Sequence, residues 1–140
     1  MPEFIPNHIP TELDAFTCGY LECAEWLACV MSDRPDMSLT DEERNRCRGF
    51  TKKAIASAKR ECKDFQDSNA GLLFIYYEKL GFNESQAGHD FWLTRNRHGS
   101  GFWDRDYSDK ARNILNALTD ASCGYGESEC EYYRGYLHLT

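Results

Sequence analysis

The order of apolar and polar positions predicts two helices in the first half of the chain. Apolar side chains recur at helical spacing between positions 13 and 30, and Thr11 precedes them as the expected N-cap. After a loop at 32–40, Thr40 and Glu43 form a capping-box pattern for a second helix from about Asp41 to Phe65. One side of this helix is apolar from Phe50 onward, and the other is basic: Arg44, Arg48, Lys52, Lys59 and Lys63.

The period of the pattern changes in the second half of the chain. The segment 69–82, NAGLLFIYYEKLGF, predicts a short helix that stops at Gly81. In the segment 88–105, GHDFWLTRNRHGSGFWDR, apolar and polar residues alternate around the glycines at 99 and 101, which predicts two antiparallel strands. A helix is expected from Ser108 to about Ala121, and ECEYYRGYLHLT at the end predicts a hairpin that turns at Arg134 and Gly135.

These elements predict an α+β fold, with a small antiparallel sheet of two hairpins packed against about four helices. At 140 residues and 41% hydrophobic composition, we expect a single globular domain over 1–140, with 1–11 as a flexible lead. No apolar run approaches the ~20 residues that cross a bilayer, and the N-terminal segment lacks the pattern of a signal peptide. We therefore expect no membrane contact, a cytoplasmic location, and seven cysteines that remain reduced thiols.

Charge is unevenly distributed along the chain, whose net charge is −7. Positions 1–40 hold seven acidic side chains against Arg34 alone, whereas positions 41–66 hold eight basic and five acidic ones. An acidic balance argues against non-specific binding to nucleic acid, which depends on neutralising phosphates. An acidic face could meet a basic partner, including a DNA-binding host protein, or it could serve solubility alone.

The segment 88–105 contains the residues that could carry catalysis. A histidine near a carboxylate is a candidate general base, and an arginine can hold a phosphate or carboxylate with two hydrogen bonds. This chemistry suits hydrolysis of a nucleotide or phosphoester, with a bound water as nucleophile because no activated side chain is recognisable. The candidate catalytic residues are His89, Arg95, His98 and Asp104.

A metal site, a nucleic-acid site and a purely architectural role are the alternatives for the same segment. His89 and His98 stand nine positions apart, and the chain has no Cys-x-x-Cys pair, so we predict neither a metal nor a cofactor. Arginines beside Trp92 and Trp103 could clamp single-stranded bases, although the net charge opposes it. The aromatic side chains could instead serve packing, with Arg95 in an ordinary ion pair.

The segment GHDFWLTRNRHGSGFWDR resembles a signature, G-H-D-F-W-L-T-R-N-G-H-G-A-G-F-W-D-R, of a family of small proteins from tailed bacteriophages and related mobile elements. FTCGYLECAEW at 16–26 and ECKDFQDSN at 61–69 are similar to two other segments of that family. The resemblance spans the chain from about Phe16 onward. The chain departs from the pattern at Arg97, Ser100, Asp106 and the turn at 133–135.

The resemblance implies a phage-encoded accessory protein that binds a host bacterial protein and inhibits or redirects it, in host takeover or anti-defence. We predict that it acts by occlusion, as a monomer or weak homodimer, rather than as an enzyme. Two candidate surfaces could contact the partner. One is the acidic face of the first helix, and the other is the tip that follows Thr94: Glu12, Asp14, Glu22 and Glu25, and Arg95, Asn96 and Arg97.

Overall fold

The computed structural model describes residues 9–29, 42, 46–104 and 109–140. Most of the described residues before position 130 are helical, and the last eleven residues form a hairpin. The described elements are α1 (Ala15–Cys29), α2 (Lys52–Ser68), α3 (Ala70–Glu78), α4 (Glu84–Arg95), the 3₁₀ turn (Phe102–Asp104), α5 (Asp109–Cys123), β1 (Cys130–Tyr133) and β2 (Tyr136–Leu139).

Two glycines allow α1 and α4 to cross in backbone contact. A Cβ atom at Gly19 would lie 2.3 Å from the carbonyl oxygen of Ser85, and one at Gly88 would lie 2.0 Å from that of Phe16. No side chain fits at either distance, so this helix crossing requires glycine on both helices. The crossing places the buried faces of α1 and α4 side by side in the core.

The core between α1, α2 and α4 is built from aromatic rings. Phe65 of α2 stacks on Phe91 of α4 with ring centroids 4.2 Å apart, and Phe16 of α1 lies 5.8 Å from Phe65. The 3₁₀ turn adds Phe102, whose ring is 5.4 Å from that of Tyr76 in an edge-on arrangement. Contacts of this geometry contribute about 0.5–1.5 kcal/mol each beyond the area that they bury.

The sheet consists of β1 and β2 paired antiparallel around a tight turn, with Tyr133 opposite Tyr136. Arg134 and Gly135 have φ angles of 50° and 86°, and two positive φ angles in a two-residue turn are the pattern of type I′. Residues 48–51 run parallel to β2: the Leu137 amide donates to the Gly49 carbonyl at 2.8 Å, and the Thr51 amide donates to the Leu137 carbonyl at 3.0 Å.

The chain is mostly helical with a small two-stranded antiparallel sheet, which is consistent with the expected α+β class. The short helix before Gly81, the helix that follows position 108 and the C-terminal hairpin are confirmed, as is the turn at Arg134 and Gly135. The predicted N-cap of α1 is wrong. Asp14, not Thr11, accepts a hydrogen bond from the Thr17 amide, at 2.8 Å. None of the described helices has the length and apolar character needed to span a membrane.

The prediction of one helix from Asp41 to Phe65 is wrong. The helix begins at Lys52, where the Thr51 hydroxyl caps it by accepting from the Ala54 amide at 3.0 Å. Gly49 has a φ of 100°, outside helical geometry, and Phe50 forms a bridge with Leu137 instead of extending the helix. The loop at 32–40, the pattern at Thr40 and Glu43, and Arg44 lie outside the described residues.

The predicted hairpin at 88–105 is also wrong, so the sheet has one hairpin and not two. Residues 84–95 form α4, and the turn near Gly101 leads to the 3₁₀ segment. Asn83 and Gln86 start α4 with a capping box, in which each side chain bonds the other residue's backbone N–H. The alternation suggested a strand because α4 is buried over much of its circumference, which removes the clean helical period.

Candidate functional site

Arg95 lies in a closed pocket at the C-terminal end of α4. Its side chain is 3% exposed, and its guanidinium donates to the carbonyl oxygens of Gly126 at 2.9 Å and Tyr125 at 3.2 Å. It also donates to the Tyr20 hydroxyl at 2.9 Å and forms an ion pair with Glu61. Neighbouring aromatic rings flank it, since its central carbon is 5.7 Å from the Phe91 ring centroid.

The electrostatics of this pocket stabilise the charged arginine. Burial works against the charge, but the oxygen of Tyr20 and the carboxylate of Glu61 outweigh it and raise the pKa of Arg95 above its ordinary value. Burial also raises the pKa of the Tyr20 hydroxyl, which remains a neutral partner. The guanidinium is therefore engaged by protein groups and is not directed at a ligand.

In the described part of the chain, none of the other three candidate catalytic residues hydrogen-bonds or pairs with the Arg95 side chain. His89 faces α1, where its Nε2 is 3.5 Å from the Glu22 carboxylate, and both side chains are partly exposed. It lies six helical residues, or roughly 9 Å along the axis, before Arg95. His98 follows the end of α4 and is half-buried, and Asp104 is exposed at the end of the 3₁₀ turn.

Among the described residues, no three histidine, cysteine or acidic side chains are grouped so that they could hold a metal ion. Asp90, the residue after His89, is buried and accepts a hydrogen bond from the Tyr76 hydroxyl at 2.7 Å. The six cysteines whose side chains the structure describes form no disulfide with one another: Cys18, Cys23, Cys47, Cys62, Cys123 and Cys130. Burial raises the pKa of Cys23 to about 12, so this thiol is suited to packing rather than to chemistry.

The four acidic residues predicted to form one face of α1 lie in four different environments. Glu12 is exposed, and Glu22 is paired with His89. Asp14 caps the helix, and hydrogen bonds from Thr17 and Gln66 overcome burial and hold its pKa below the ordinary value. Glu25 is 1% exposed, so it cannot contribute to a continuous acidic surface.

A cleft of about 460 Å³ lies between the N-terminal end of α1 and the basic side of α2. Its walls bring together the acidic and the basic segments that the sequence separates. Glu12 and Asp14 line it with Thr17, Lys59, Arg60 and Lys63, among others. The acidic end of α1 is therefore next to three cations, which reduces its attraction for a basic partner.

The tip after Thr94 is also mostly integrated into the fold. The Asn96 side chain donates to the Trp92 carbonyl at 2.9 Å and accepts from the Ser128 amide at 2.7 Å. Arg97 is exposed and has a φ of 56°. Of the three residues predicted at this tip, Arg97 alone is exposed.

The C-terminal hairpin has two different faces. Its inner face carries Tyr132 and Leu137 directly opposite each other, and Leu137 is fully buried. On the outer face Tyr133 and Tyr136 are paired and are 57% and 37% exposed. We call this exposed side the outer hairpin face; it comprises Glu129, Glu131, Tyr133, Tyr136, His138 and Thr140, with Arg134 at its tip.

The outer hairpin face is held in place by contacts among its own residues. The Arg134 guanidinium carbon lies 5.2 Å from the centroid of the Tyr133 ring, and the His138 ring lies 6.0 Å from it. A His138 ring nitrogen is 3.2 Å from the Tyr133 carbonyl oxygen. The ladder continues past β1, because the Thr140 amide donates to the Glu129 carbonyl at 3.1 Å.

Sequence reasoning identified the hairpin but did not identify its outer face as a site. The sequence pattern that indicates this face is the alternation in the segment ESECEYY at 127–133, which places Glu129, Glu131 and Tyr133 on one side of a strand.

Comparison of the chain with protein-family models, curated proteins and solved structures gives no match.

Proposed function

We propose that this protein is a phage-encoded accessory protein that binds a host protein in the bacterial cytoplasm and inhibits or redirects it. The observation that carries the binding role is the exposed pair Tyr133 and Tyr136 beside Arg134 on the outer hairpin face. The phage origin and the host-takeover or anti-defence role rest on the resemblance of the segment 88–105 and its flanking segments.

The composition of this face suits a protein interface. Tyrosine and arginine are enriched among the residues that dominate binding energy, because they offer a large contact area together with hydrogen-bonding groups. Tyrosine loses little conformational entropy on binding, since it has two side-chain torsions. The paired strands and the buried inner face hold the two rings in a fixed relation, which lowers the cost of ordering them.

The geometry favours binding over the alternative of a nucleotide-binding or phosphoester-hydrolysing enzyme. That alternative needs Arg95 to hold an anion, yet the guanidinium is occupied by Tyr20, Glu61 and two backbone carbonyls. In the described part of the chain, the groups intended as base and acid are not among its partners, and His89 is paired with Glu22 instead. A single-stranded nucleic-acid clamp is disfavoured because Arg95 is engaged by protein groups and Trp92 is buried, which leaves only Trp103 of the two tryptophans exposed for stacking.

The test is an affinity pull-down from a bacterial lysate with the tagged full chain, followed by mass spectrometry. The variants are Tyr133→Ala/Tyr136→Ala and the control Phe74→Ala, which removes an aromatic ring that is 60% exposed on α3. We expect one stoichiometric protein with the wild type and the control, and its loss with the double variant. Circular dichroism must show that all three proteins are folded.

Two results would contradict the proposal. Retention of no protein by the wild type removes the binding function. Equal retention by the wild type and the double variant removes the outer hairpin face as the binding site, in which case the partner must contact the protein elsewhere.

A further inference from the structure

We infer that the outer hairpin face receives an extended segment rich in lysine and arginine. The inference rests on the proposed function and names the chemistry of the partner at that site. It is carried by two carboxylates, Glu129 and Glu131, that stand in line with the exposed tyrosines and are exposed themselves.

The two carboxylates are spaced to match a strand-like ligand. Glu131 pairs with His138 in the ladder, and the hydrogen bond between Thr140 and Glu129 extends the same register. Alternate residues on one strand are roughly 7 Å apart, and an extended segment with cations at alternate positions has the same repeat. Among the described residues, neither carboxylate is held by an ion pair or a side-chain hydrogen bond.

The tyrosines continue the same recognition towards the turn. A cation above the face of an aromatic ring is attracted by the ring's negative centre, by about 0.5–1 kcal/mol at exposed sites. Arg134 already uses the Tyr133 ring in this way at 5.2 Å. The face is therefore acidic at the Glu129 end and cationic at the turn, which orients a basic segment with its charges away from Arg134.

The basic class of partner fits this face better than it fits α1. At the end of α1 the acidic residues share their cleft with Lys59, Arg60 and Lys63. The strand opposite Glu129 and Glu131, β2, carries no lysine or arginine, so repulsion of a cation there is smaller.

In the test, a synthetic peptide of about ten residues, in which lysine alternates with threonine, is added to the ¹⁵N-labelled full chain. Binding is then observed by two-dimensional NMR of the protein. A peptide with glutamate in place of lysine is the ligand control. The binding variant is Glu129→Lys/Glu131→Lys. Its matched control is Glu78→Lys/Asp120→Lys, which makes the same change in net charge at exposed positions on α3 and α5.

We expect chemical-shift changes concentrated in residues 129–140 with the lysine peptide and none with the glutamate peptide. The binding variant should raise the dissociation constant of the lysine peptide about tenfold more than the control variant does. Added salt should weaken binding to the wild type. Equal weakening by both variants, shift changes centred on α1, or no binding of the lysine peptide would overturn the inference.

The inference and the proposed function fail in different ways. A host protein that is retained through Tyr133 and Tyr136, together with no binding of the lysine peptide, contradicts the basic class and keeps the proposed function. Binding of the lysine peptide to residues 129–140, with no protein retained from the lysate, supports the chemistry of the face and contradicts the proposed function.

Discussion

The helix crossing and the C-terminal hairpin use the same residue types for opposite purposes. At the end of α4, Arg95 meets the hydroxyl of Tyr20 and the backbone of Tyr125 inside the core. At the tip of the hairpin, Arg134 lies over Tyr133, whose ring is mostly exposed. In the first region the guanidinium is bonded on several sides by protein groups, whereas in the second the same kinds of side chain remain available to a partner.

The comparison shows that residue type alone does not locate a binding site. A buried charge has lost its water and must be satisfied by the protein, so Arg95, Glu61 and Tyr20 act together as a structural unit. An exposed arginine and an exposed tyrosine keep their water until a partner displaces it. The accessible surface and the existing hydrogen bonds therefore distinguish the two roles.

Substitution of Gly88, at the crossing of α1 and α4, should cause the largest loss of stability. In Gly88→Ala the new Cβ atom collides with the Phe16 carbonyl, 2.0 Å away, and α1 must move from α4. We expect a loss of about 4 kcal/mol in the free energy of unfolding, measured by urea denaturation. The control is Gly71→Ala, where a Cβ atom meets nothing within 4 Å and a gain of about 0.5–1 kcal/mol is expected. Equal effects of the two substitutions would contradict a close-packed crossing.

Removal of the buried arginine should have the next largest effect. Arg95→Met keeps the stem of the side chain but leaves Glu61 without its partner and two backbone carbonyls without a donor. We expect the free energy of unfolding to fall by about 2–3 kcal/mol, measured by thermal melts. This is below the full cost of a buried unpaired charge, because the Glu61 side chain is 29% exposed and water can reach it. The control Arg97→Met, at an exposed position two residues after Arg95, should change the free energy of unfolding by less than about 0.5 kcal/mol in thermal melts.

The parts of the fold that the sequence predicts are those with one buried and one exposed face. The helix at 109–123 and the hairpin at 130–139 have this property, and their patterns have a clear period. The segment of α4 does not, because its buried residues include neighbours such as Phe91 and Trp92. Its alternation therefore suggested a strand. The better signal was the capping box at Asn83 and Gln86, which marks a helix start independently of periodicity.

The candidate sites were harder to predict because they depend on contacts distant in the sequence. Arg95 looks like a catalytic or binding residue until Glu61 and Tyr20 are placed beside it, and both come from other helices. Glu25 follows Glu22 by three residues and lies near the same side of α1, yet it is 1% exposed whereas the Glu22 side chain is 39% exposed. Helical spacing places these two residues near one face, so their difference in burial, like the surroundings of Arg95, depends on the tertiary fold.

A smaller effect is expected at the start of α1, which holds Tyr20 beside Arg95. Asp14→Ala should cost about 1 kcal/mol, because the Thr17 amide loses its cap. The pKa of Asp14 is lower in the folded protein than its ordinary value of 3.8, so its contribution is present above that pH and is lost as the pH falls through the folded value. Asp14→Asn keeps a capping oxygen that does not titrate.

Urea denaturation of these proteins between about pH 2 and pH 7 tests the assignment. As the pH falls below the pKa of Asp14 in the unfolded chain, the wild type should lose stability relative to Asp14→Asn. A difference that does not depend on pH would show that the Asp14 carboxylate is not stabilised by its hydrogen bonds.

The smallest change in stability is expected from a substitution of Arg134 in the hairpin turn, which distinguishes a role in folding from a role in binding. Arg134 has a φ of 50°, a conformation that asparagine adopts at lower cost, and Asn-Gly is the favoured pair in a type I′ turn. Arg134→Asn should therefore leave the thermal stability unchanged or raise it by about 0.5 kcal/mol, while removing the guanidinium from the Tyr133 ring. If the outer hairpin face binds the host protein, this variant should retain less of it in the pull-down. A drop in stability with unchanged retention would reverse the comparison and make Arg134 a structural residue like Arg95.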